Sequence, residues 1–323
     1  MRALSVFSGG LDSMLSAQVL REQDIDVLAL FFETPFFSST TARKSAATIN
    51  LPIEIIDITK DHMGIVKKPK HGYGGNMNPC IDCHAMMLRK AGEMLEEKDA
   101  RFLITGEVLG QRPMSQNRQS LATVASESGF EGLILRPLSA KRLPITIPEE
   151  KGWVNRDLLK GFSGRSRKPQ MALALAFNVK EYPSPAGGCL LTDKEFSRRL
   201  QDLFTHETKR EIRDIELLRV GRHFRLNPQT KLIVGRNRSE NQAIRDLFRE
   251  GDALLWSDGI PGPTVLLVGE RSPALESQAA VFTASYSDTA DHETCEIIIS
   301  DGGNERGLEA ESREKDAFKE YMV

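Results

Sequence analysis

Short apolar runs alternate with amphipathic stretches in the first part of the chain. Residues 4–7, 27–32 and 53–58 are apolar runs of strand length, and residues 14–21 and 40–50 between them have helical patterns. The order strand, helix, strand, helix, strand is typical of an open parallel sheet with helices on both faces. The pattern therefore predicts an α/β domain at the start of the chain.

The same pattern continues before it changes character. A loop rich in Gly, Pro and Asn at 67–79 precedes a predicted helix at 83–97, and strands are predicted at 102–105 and 133–135. Because ligands of open parallel sheets bind at the carboxyl ends of the strands, the residues that follow each strand are the candidates for a site. Two prolines and two glycines at 183–188 mark a domain boundary.

Beyond that boundary the predicted elements are short and of mixed type. A helix is predicted at 194–204. Strand-like pieces follow at 217–220, 223–226, 231–234, 253–256 and 264–268. We predict three parts, which are an α/β domain at 1–192, a smaller α+β domain at 193–287 and an acidic C-terminal tail at 288–323.

The composition is that of an ordinary globular protein. The 323 residues are 40% hydrophobic and 27% charged, and the net charge is −2. No apolar run approaches the roughly 20 residues of a membrane helix, and the first residues become polar too early for a signal peptide. We therefore expect a cytoplasmic location and no membrane partner.

A glycine-containing loop follows the first predicted strand and opens the first predicted helix. Its residues are Ser8, Gly9, Gly10, Leu11, Asp12 and Ser13. Glycines let backbone N–H groups turn toward an anion, and a helix N-terminus adds unpaired N–H groups. Asp12 alone would repel phosphate, so its presence indicates a bridging Mg²⁺. The loop lacks the Gly-Lys-Ser/Thr of the common triphosphatases and the glycine spacing of dinucleotide sites.

Three of the four cysteines fall in a pattern that indicates chemistry. Cys80 and Cys83 form a Cys-x-x-Cys pair, and Cys189 follows two glycines, whereas Cys295 lies in the acidic segment. In a cytosolic chain such a pair favours metal or redox chemistry over a disulfide framework. Three thiolates can hold a 4Fe–4S cluster with one iron open. Alternatively, Cys189 can carry a persulfide that one of the pair resolves.

The loop resembles the pyrophosphate loop of the N-type ATP pyrophosphatases, which include GMP synthetase, argininosuccinate synthetase and the tRNA thiolation enzymes. The segment 106–116 is similar to the stretch after the fourth strand in tRNA 4-thiouridine synthetases and 2-thiouridylases. The resemblance implies an adenine nucleotide alpha hydrolase-like fold and cleavage of ATP between its α and β phosphates. It also implies that the loop holds pyrophosphate and that Gly106 and Gln111 lie against the nucleotide.

The cysteine pattern, with Gly187-Gly188 before Cys189, resembles that of tRNA thiolases that use three cysteines and an iron–sulfur cluster. This implies an enzyme that adenylates a tRNA uridine carbonyl and replaces its oxygen with sulfur. Asp12 would bind Mg²⁺, and Cys80, Cys83 and Cys189 would hold the cluster. The sulfur donor would be free sulfide, a cysteine desulfurase or a carrier. The alternatives are a persulfide thiouridylase without iron, an ATP-dependent amide or amidine ligase, and a non-enzymatic RNA-binding protein.

The later segments 231–241, 252–258 and 260–265 resemble the RNA-binding domain of the NFACT proteins. Two histidines of that family are replaced here, around Asp258 and Thr264, so the resemblance implies RNA binding without their chemistry. Arginines can bind the phosphate backbone. The predicted RNA-binding residues are Arg236 and Arg238, with the neighbouring Arg219, Arg222 and Arg225.

Overall fold

The computed structural model describes residues 1–184, 188–206 and 211–323. They form two compact units, Met1–Asp193 and Lys194–Val323. Pro185, Ala186 and Gly187 of the predicted boundary lie outside the described residues. In the ranges that the structure describes, no helix is long and apolar enough to cross a membrane.

The first unit is built on a five-stranded parallel sheet. Its strands are β1 (Arg2–Val6), β2 (Asp26–Glu33), β3 (Ile53–Asp57), β4 (Phe102–Thr105) and β5 (Ile134–Leu135). Its helices are α1 (Leu11–Arg21), α2 (Thr40–Thr48), α3 (Thr59–Lys67), α4 (Cys80–Glu93), α5 (Arg118–Ser128), α6 (Ile147–Glu150) and α7 (Lys168–Ala176). Short 3-10 segments lie at Glu131–Leu133, Ala140–Arg142, Arg156–Leu158 and Leu190–Thr192. The strand order is β3-β2-β1-β4-β5.

Successive residues of the central strands face opposite sides of the sheet, because side chains alternate along a strand. Ala3 and Ala29 belong to a core that includes side chains of α1, α2 and α7. Leu4 and Leu30 belong to a second core that includes side chains of α4 and α5. The open parallel sheet with helices on both faces is thereby confirmed.

The chain changes direction across the sheet at β1. It runs from β1 outward through β2 to β3 and then returns to form β4 on the other side of β1. The carboxyl ends of β1 and β4 are level, since Val6 pairs with Thr105. Such a switch point is where open parallel sheets bind ligands, and the loops after β1 and β4 meet there.

The second unit contains an antiparallel sheet of six strands. Its elements are α8 (Lys194–His206), α9 (Ile212–Leu217), β6 (Arg222–Asn227), β7 (Thr230–Val234), α10 (Arg238–Asp246), β8 (Ala253–Ser257), β9 (Val265–Gly269), α11 (Pro273–Tyr286), β10 (Thr294–Ser300), β11 (Glu305–Glu311) and a 3-10 segment at Lys315–Tyr321. The strand order is β11-β10-β8-β9-β7-β6. Phe282 of α11 packs in one core with Leu255 and Ile297 of the sheet. The predicted α+β class of this part is confirmed.

Two predictions for the second unit are wrong. Residues 288–323 do not form a separate acidic tail, because β10 and β11 pair within the sheet and Phe318 is buried in its core. Buried Cys295, Ile297 and Ile299 alternate along β10 with more exposed residues, and in β11 the buried Ala310 lies between two exposed glutamates, so the acidic residues masked a strand pattern of period two. The predicted strand at 217–220 is instead the end of α9 and the turn before β6.

Candidate nucleotide and thiol site

The loop from Ser8 to Ser13 joins β1 to α1. Gly9 has a φ of +77°, and a Cβ at this position would lie 2.6 Å from the Cα of Ala42, so the loop requires glycine here. Gly10 is the N-cap of α1, and no described side chain accepts a hydrogen bond from the first turn. The first N–H groups of α1 are therefore available to an anion.

Hydroxyl groups hold this loop in shape. Ser13 Oγ donates to the Gly10 carbonyl oxygen at 2.7 Å, and Ser45 Oγ of α2 donates to the Gly9 carbonyl oxygen at 2.7 Å. Ser8 Oγ accepts a hydrogen bond from Gly10 N at 3.3 Å. Leu11, in contrast, is 1% exposed and packs into the core, so any contact it makes with a nucleotide is through its backbone.

Gly106 directly follows β4 and lies against the start of α1. A Cβ on Gly106 would lie 2.5 Å from Ser13 N, a distance at which backbone atoms would have to shift. The structure thus brings the predicted Gly106 beside the loop after β1. The close approach also explains why glycine occupies this position.

Asp12 is held by two glutamines in series. Gln111 Nε2 donates to Asp12 Oδ2 at 2.6 Å, and Gln170 Nε2 donates to Gln111 Oε1 at 2.7 Å. Asp12 Oδ1 is buried and has no hydrogen-bond partner among the described residues. A buried carboxylate oxygen of this kind fits a cation that arrives with a nucleotide.

Sequence reasoning missed Gln170. It lies in α7 and has 0% exposure, although most of its neighbours in the helix are Ala, Leu and Met. The available signal was a polar side chain at a buried position of an apolar helix, and buried polar groups require partners. The partner, Gln111, is 59 residues away in sequence, which no local pattern reveals.

A buried ion pair follows Gly106. Arg136 Nε donates to Glu107 Oε2 at 2.9 Å, and His84 Nδ1 lies 3.1 Å from Glu107 Oε1. Burial raises the pKa of Glu107, but Arg136 and His84 outweigh this and lower that pKa to about 2. Glu107 is thus ionised at neutral pH and connects the end of β4 with α4, which carries His84 next to Cys83.

The three predicted thiols all belong to the first unit. Cys80 and Cys83 lie in the first turn of α4, and Cys189 directly precedes the 3-10 segment Leu190–Thr192. This segment is attached at both ends, since Leu190 N donates to the Phe36 carbonyl oxygen at 3.0 Å and Asn76 Nδ2 donates to the Thr192 carbonyl oxygen at 2.7 Å. The second bond holds the Cys189 segment beside the loop that leads into α4.

The thiols influence one another electrostatically. Burial, followed by the neighbouring thiols of Cys189 and Cys80, raises the pKa of Cys83 well above its usual value. Burial raises the pKa of Cys189 to about 11; Cys80 adds to this effect, and Arg112 opposes it. Because Cys83 responds to the charges of Cys80 and Cys189, and Cys189 to that of Cys80, the three thiols lie in one neighbourhood.

His62 of α3 is a second residue that sequence reasoning missed. Its Nε2 lies 3.3 Å from Cys83 Sγ. The ring is fully buried, with the Phe36 and Phe37 rings each at a centroid distance of 5.5 Å. Burial lowers the pKa of His62 to about 4, so the imidazole is neutral at neutral pH. Its contact depends on how α3 packs against α4, which the sequence does not show.

The predicted RNA-binding arginines of the second unit have different surroundings. Arg236 forms a two-pronged pair with Glu240, and Arg222 lies over the Tyr286 ring at 5.4 Å. Arg238 instead lines a cleft of about 250 Å³. Of the neighbouring arginines, Arg225 pairs with Asp202 in a part-buried contact. The arginine best placed to meet a ligand is therefore Arg238.

A glycine loop after β1, an uncapped helix N-terminus and a buried carboxylate on the same turn are the features of an anion site at the start of α1. The family model described as thiamine biosynthesis protein (ThiI) matches residues 1–142. The family model described as NFACT protein RNA binding domain matches residues 221–322. Both resemblances found in the sequence are thereby confirmed, each for the part of the chain that its family model matches.

Curated relatives match less than half of this chain. A protein of Oceanobacillus iheyensis named "Probable tRNA sulfurtransferase" is 25% identical over 162 residues, which cover 47% of this chain and 38% of that protein. The tRNA-specific 2-thiouridylase MnmA of Karelsulcia muelleri is 30% identical over 130 residues, which cover 36% of this chain and 33% of that protein. The matched part spans less than two fifths of either relative.

Solved structures show more distant likeness. A 4-thiouridine synthetase–RNA complex with bound ATP is 17% identical with a TM-score of 0.35, and the match covers 55% of this chain and 51% of that chain. The C-terminal part of the fibronectin/fibrinogen-binding protein of Streptococcus suis is 15% identical with a TM-score of 0.29, covering 48% of this chain and 76% of that one.

Proposed function

We propose that the chain is an ATP-dependent tRNA sulfurtransferase that adenylates a uridine carbonyl oxygen and replaces it with sulfur. One observation carries the proposal, which is a continuous path of contacts from the phosphate loop to the thiols. Ser13 lies against Gly106, Glu107 follows Gly106 and contacts His84, and His84 is the neighbour of Cys83. Nucleotide and sulfur chemistry in one reaction require such proximity.

The first half of the reaction uses the loop after β1. The carbonyl oxygen of uridine is a poor leaving group. Transfer of AMP to this oxygen allows it to leave as part of AMP when sulfur attacks the carbon. The N–H groups of the α1 N-terminus would hold the departing pyrophosphate. Asp12 would hold Mg²⁺ through its unpartnered oxygen, and Gln111 and Gln170 would fix the direction of its carboxylate.

The second half uses the thiols. Free thiols with raised pKa values are largely protonated at neutral pH and are weak nucleophiles. A bound cationic group would reverse this, because it stabilises thiolates. No group of three His, Cys, Asp or Glu side chains in the described ranges is arranged around a single ion, but in a cluster each thiolate binds its own iron. Cys80, Cys83 and Cys189 would hold a 4Fe–4S cluster, which would supply an open iron for sulfide.

A cysteine substitution tests the sulfur step. We expect Cys189→Ser to keep ATP binding and tRNA-dependent pyrophosphate release but to form no thiolated nucleoside. Cys295→Ser is the matched control, because Cys295 is buried in the core of the second unit. Mass spectrometry of tRNA nucleosides measures the product and identifies the uridine. Normal thiolation by Cys189→Ser would remove that thiol from the mechanism.

Analysis of protein purified without oxygen distinguishes an iron–sulfur cluster from a persulfide. Iron and acid-labile sulfide that disappear in Cys80→Ser would support the cluster. A persulfide on Cys189, detected by mass spectrometry in iron-free and active protein, would instead establish the thiouridylase without iron. In either case free sulfide, a cysteine desulfurase and a carrier protein can be compared as donors in the same assay.

An aspartate substitution tests the ATP step. We expect Asp12→Asn to lose tRNA-dependent pyrophosphate release, whereas Asp26→Asn, which removes a half-exposed carboxylate paired with Arg2, should retain it. Unchanged release by Asp12→Asn would contradict the metal role. Pyrophosphate release that depends on an amine and not on tRNA would support the amide or amidine ligase. RNA binding without pyrophosphate release would support the non-enzymatic RNA-binding protein.

A further inference from the structure

The cleft of the second unit lies between α10, the end of β8 and the segment that leads into β9. Its volume is about 250 Å³, and its lining includes Arg238 and Gln242 of α10 together with Arg245, Trp256 and Thr264. No acidic side chain is among the described residues that line it. The cleft therefore offers two guanidinium groups and one aromatic ring to a ligand.

The wall of this cleft is fixed by hydrogen bonds. Asn241 Oδ1 accepts from Thr264 N at 3.0 Å, and Asn241 Nδ2 donates to the Gly262 carbonyl oxygen at 3.4 Å. Ser257 Oγ donates to the Ile260 carbonyl oxygen at 2.7 Å. These bonds tie the segment before β9 to α10 and to the end of β8. The shape of the cleft is thus set before a ligand binds, which lowers the entropic cost of binding.

The cations of the cleft are not neutralised by nearby carboxylates. Glu240 is engaged by Arg236, and Asp246 accepts from Gln242 Nε2 at 2.8 Å. Arg238 has no hydrogen bond or ion pair to another side chain among the described residues. Arg238 and Arg245 are about two helical turns apart on α10, so they lie on the same face of it. A ligand here should carry negative charge.

The aromatic ring indicates what else the ligand carries. The guanidinium carbon of Arg245 lies 5.1 Å from the centroid of the half-buried Trp256 ring. Tryptophan and arginine planes are the surfaces on which proteins stack unpaired bases. The volume is below the roughly 300–1,000 Å³ of sites for drug-sized ligands. One flat group with a phosphate fits these features, whereas a duplex does not.

We propose that this cleft binds one unstacked nucleotide of an RNA, with its base beside Trp256 and Arg245 and its phosphate at Arg238. The inference rests on the part of the proposed function that makes RNA the partner, because the RNA-binding family model covers the cleft. It adds a preference for looped or single-stranded RNA, since paired bases cannot enter a pocket of this size.

Tryptophan fluorescence of the full chain provides the test. The sequence contains two tryptophans, so Trp153→Phe leaves Trp256 as the reporter. We expect single-stranded homo-oligoribonucleotides to quench Trp256 and a duplex of the same length to leave it unchanged. Trp256→Leu should weaken single-strand binding by about tenfold or more, while Trp256→Phe should retain most of it because a ring face remains.

A charge control separates the cleft from general attraction to phosphate. Arg238→Gln should weaken binding of single strands several-fold. Arg249→Gln removes the same charge from an exposed pair with Glu211 elsewhere in the second unit and should change binding by less than about twofold. Circular dichroism of each variant establishes that it is folded.

Specific results would overturn the proposal. They are equal quenching by duplex and single strand, unchanged affinity in folded Trp256→Leu, and equal quenching by polyglutamate, which would assign the cleft to an acidic peptide. The two proposals fail separately. Quenching by RNA in a chain that releases no pyrophosphate would remove the enzyme but keep the cleft. Full activity with unaltered KM for tRNA in Trp256→Leu would remove the cleft but keep the enzyme.

Discussion

Replacement of Glu107 by Gln tests the buried ion pair that connects β4 with α4. The ordinary pKa of a glutamate is 4.5, and Arg136 and His84 lower that of Glu107 to about 2 despite burial. A difference of about 2.5 units corresponds to about 3 kcal/mol of stability. Because the folded-state pKa is the lower one, this stabilisation is present above about pH 4.5 and is lost as the pH falls toward 2.

Glu107→Gln should therefore lower the free energy of unfolding of the first unit by about 3 kcal/mol at neutral pH. The difference from the wild-type chain should shrink on acidification, because protonated Glu107 and Gln are both neutral. Urea unfolding measures this in a Trp256→Phe background. There Trp153, which stacks on Phe102 at a centroid distance of 6.3 Å, reports the first unit alone.

Glu54→Gln is the matched control for this measurement. Glu54 pairs with Lys98 Nζ at 2.7 Å, but its side chain is 41% exposed, and exposed pairs contribute no more than about 1 kcal/mol. Its effect should be small at every pH. The reasoning about Glu107 would be refuted by an equally small effect at neutral pH, or by a loss that stays constant as the pH is lowered.

Three further predictions concern the site itself. Gly106→Ala should abolish binding of a nonhydrolysable ATP analogue, measured by calorimetry, because the new Cβ would lie 2.5 Å from backbone, whereas Gly75→Ala, which meets open space, should bind normally. Gln170→Leu should keep ATP binding but slow pyrophosphate release by about 10-fold to 100-fold, since the residue that orients Asp12 loses its anchor; unchanged turnover would contradict this. Alkylation of Cys189 in metal-free protein should accelerate about tenfold per pH unit up to its pKa of about 11, and a rate independent of pH would be incompatible with that value.

The parallel sheet could be predicted from the sequence because its strands are buried on both faces. Such strands are continuous apolar runs, and β1 to β4 lie within about two residues of the predicted ranges. Ligands of such sheets bind at the carboxyl ends of the strands. Ser8 to Ser13 and Gly106 both follow predicted strands, and they could therefore be placed at the same edge of the sheet. Local pattern and general topology were sufficient for this part of the site.

Contacts between distant helices could not be predicted in the same way. Gln170 reaches Gln111 only because α7 packs on α1, and His62 reaches Cys83 only because α3 packs on α4. The predicted helix at 83–97 begins instead at Cys80, directly after Pro79, so both thiols of the pair lie in its first turn. Proline is well tolerated at a helix start, and this signal indicated the earlier beginning.

Variants at three points along the contact path from loop to thiols should differ in the amounts of pyrophosphate and thiolated nucleoside that they form. Loss of Cys189 should leave pyrophosphate release without thiolation, and loss of Asp12 should stop both. The side chain of Glu107 contacts Thr105, Arg136 and His84, the neighbour of Cys83, and Glu107 directly follows Gly106. A folded Glu107→Gln should therefore release pyrophosphate with fewer thiolations per turnover, because α4 loses its fixed position relative to the loop. A ratio equal to that of the wild-type chain would mean that the two half-reactions do not depend on this connection.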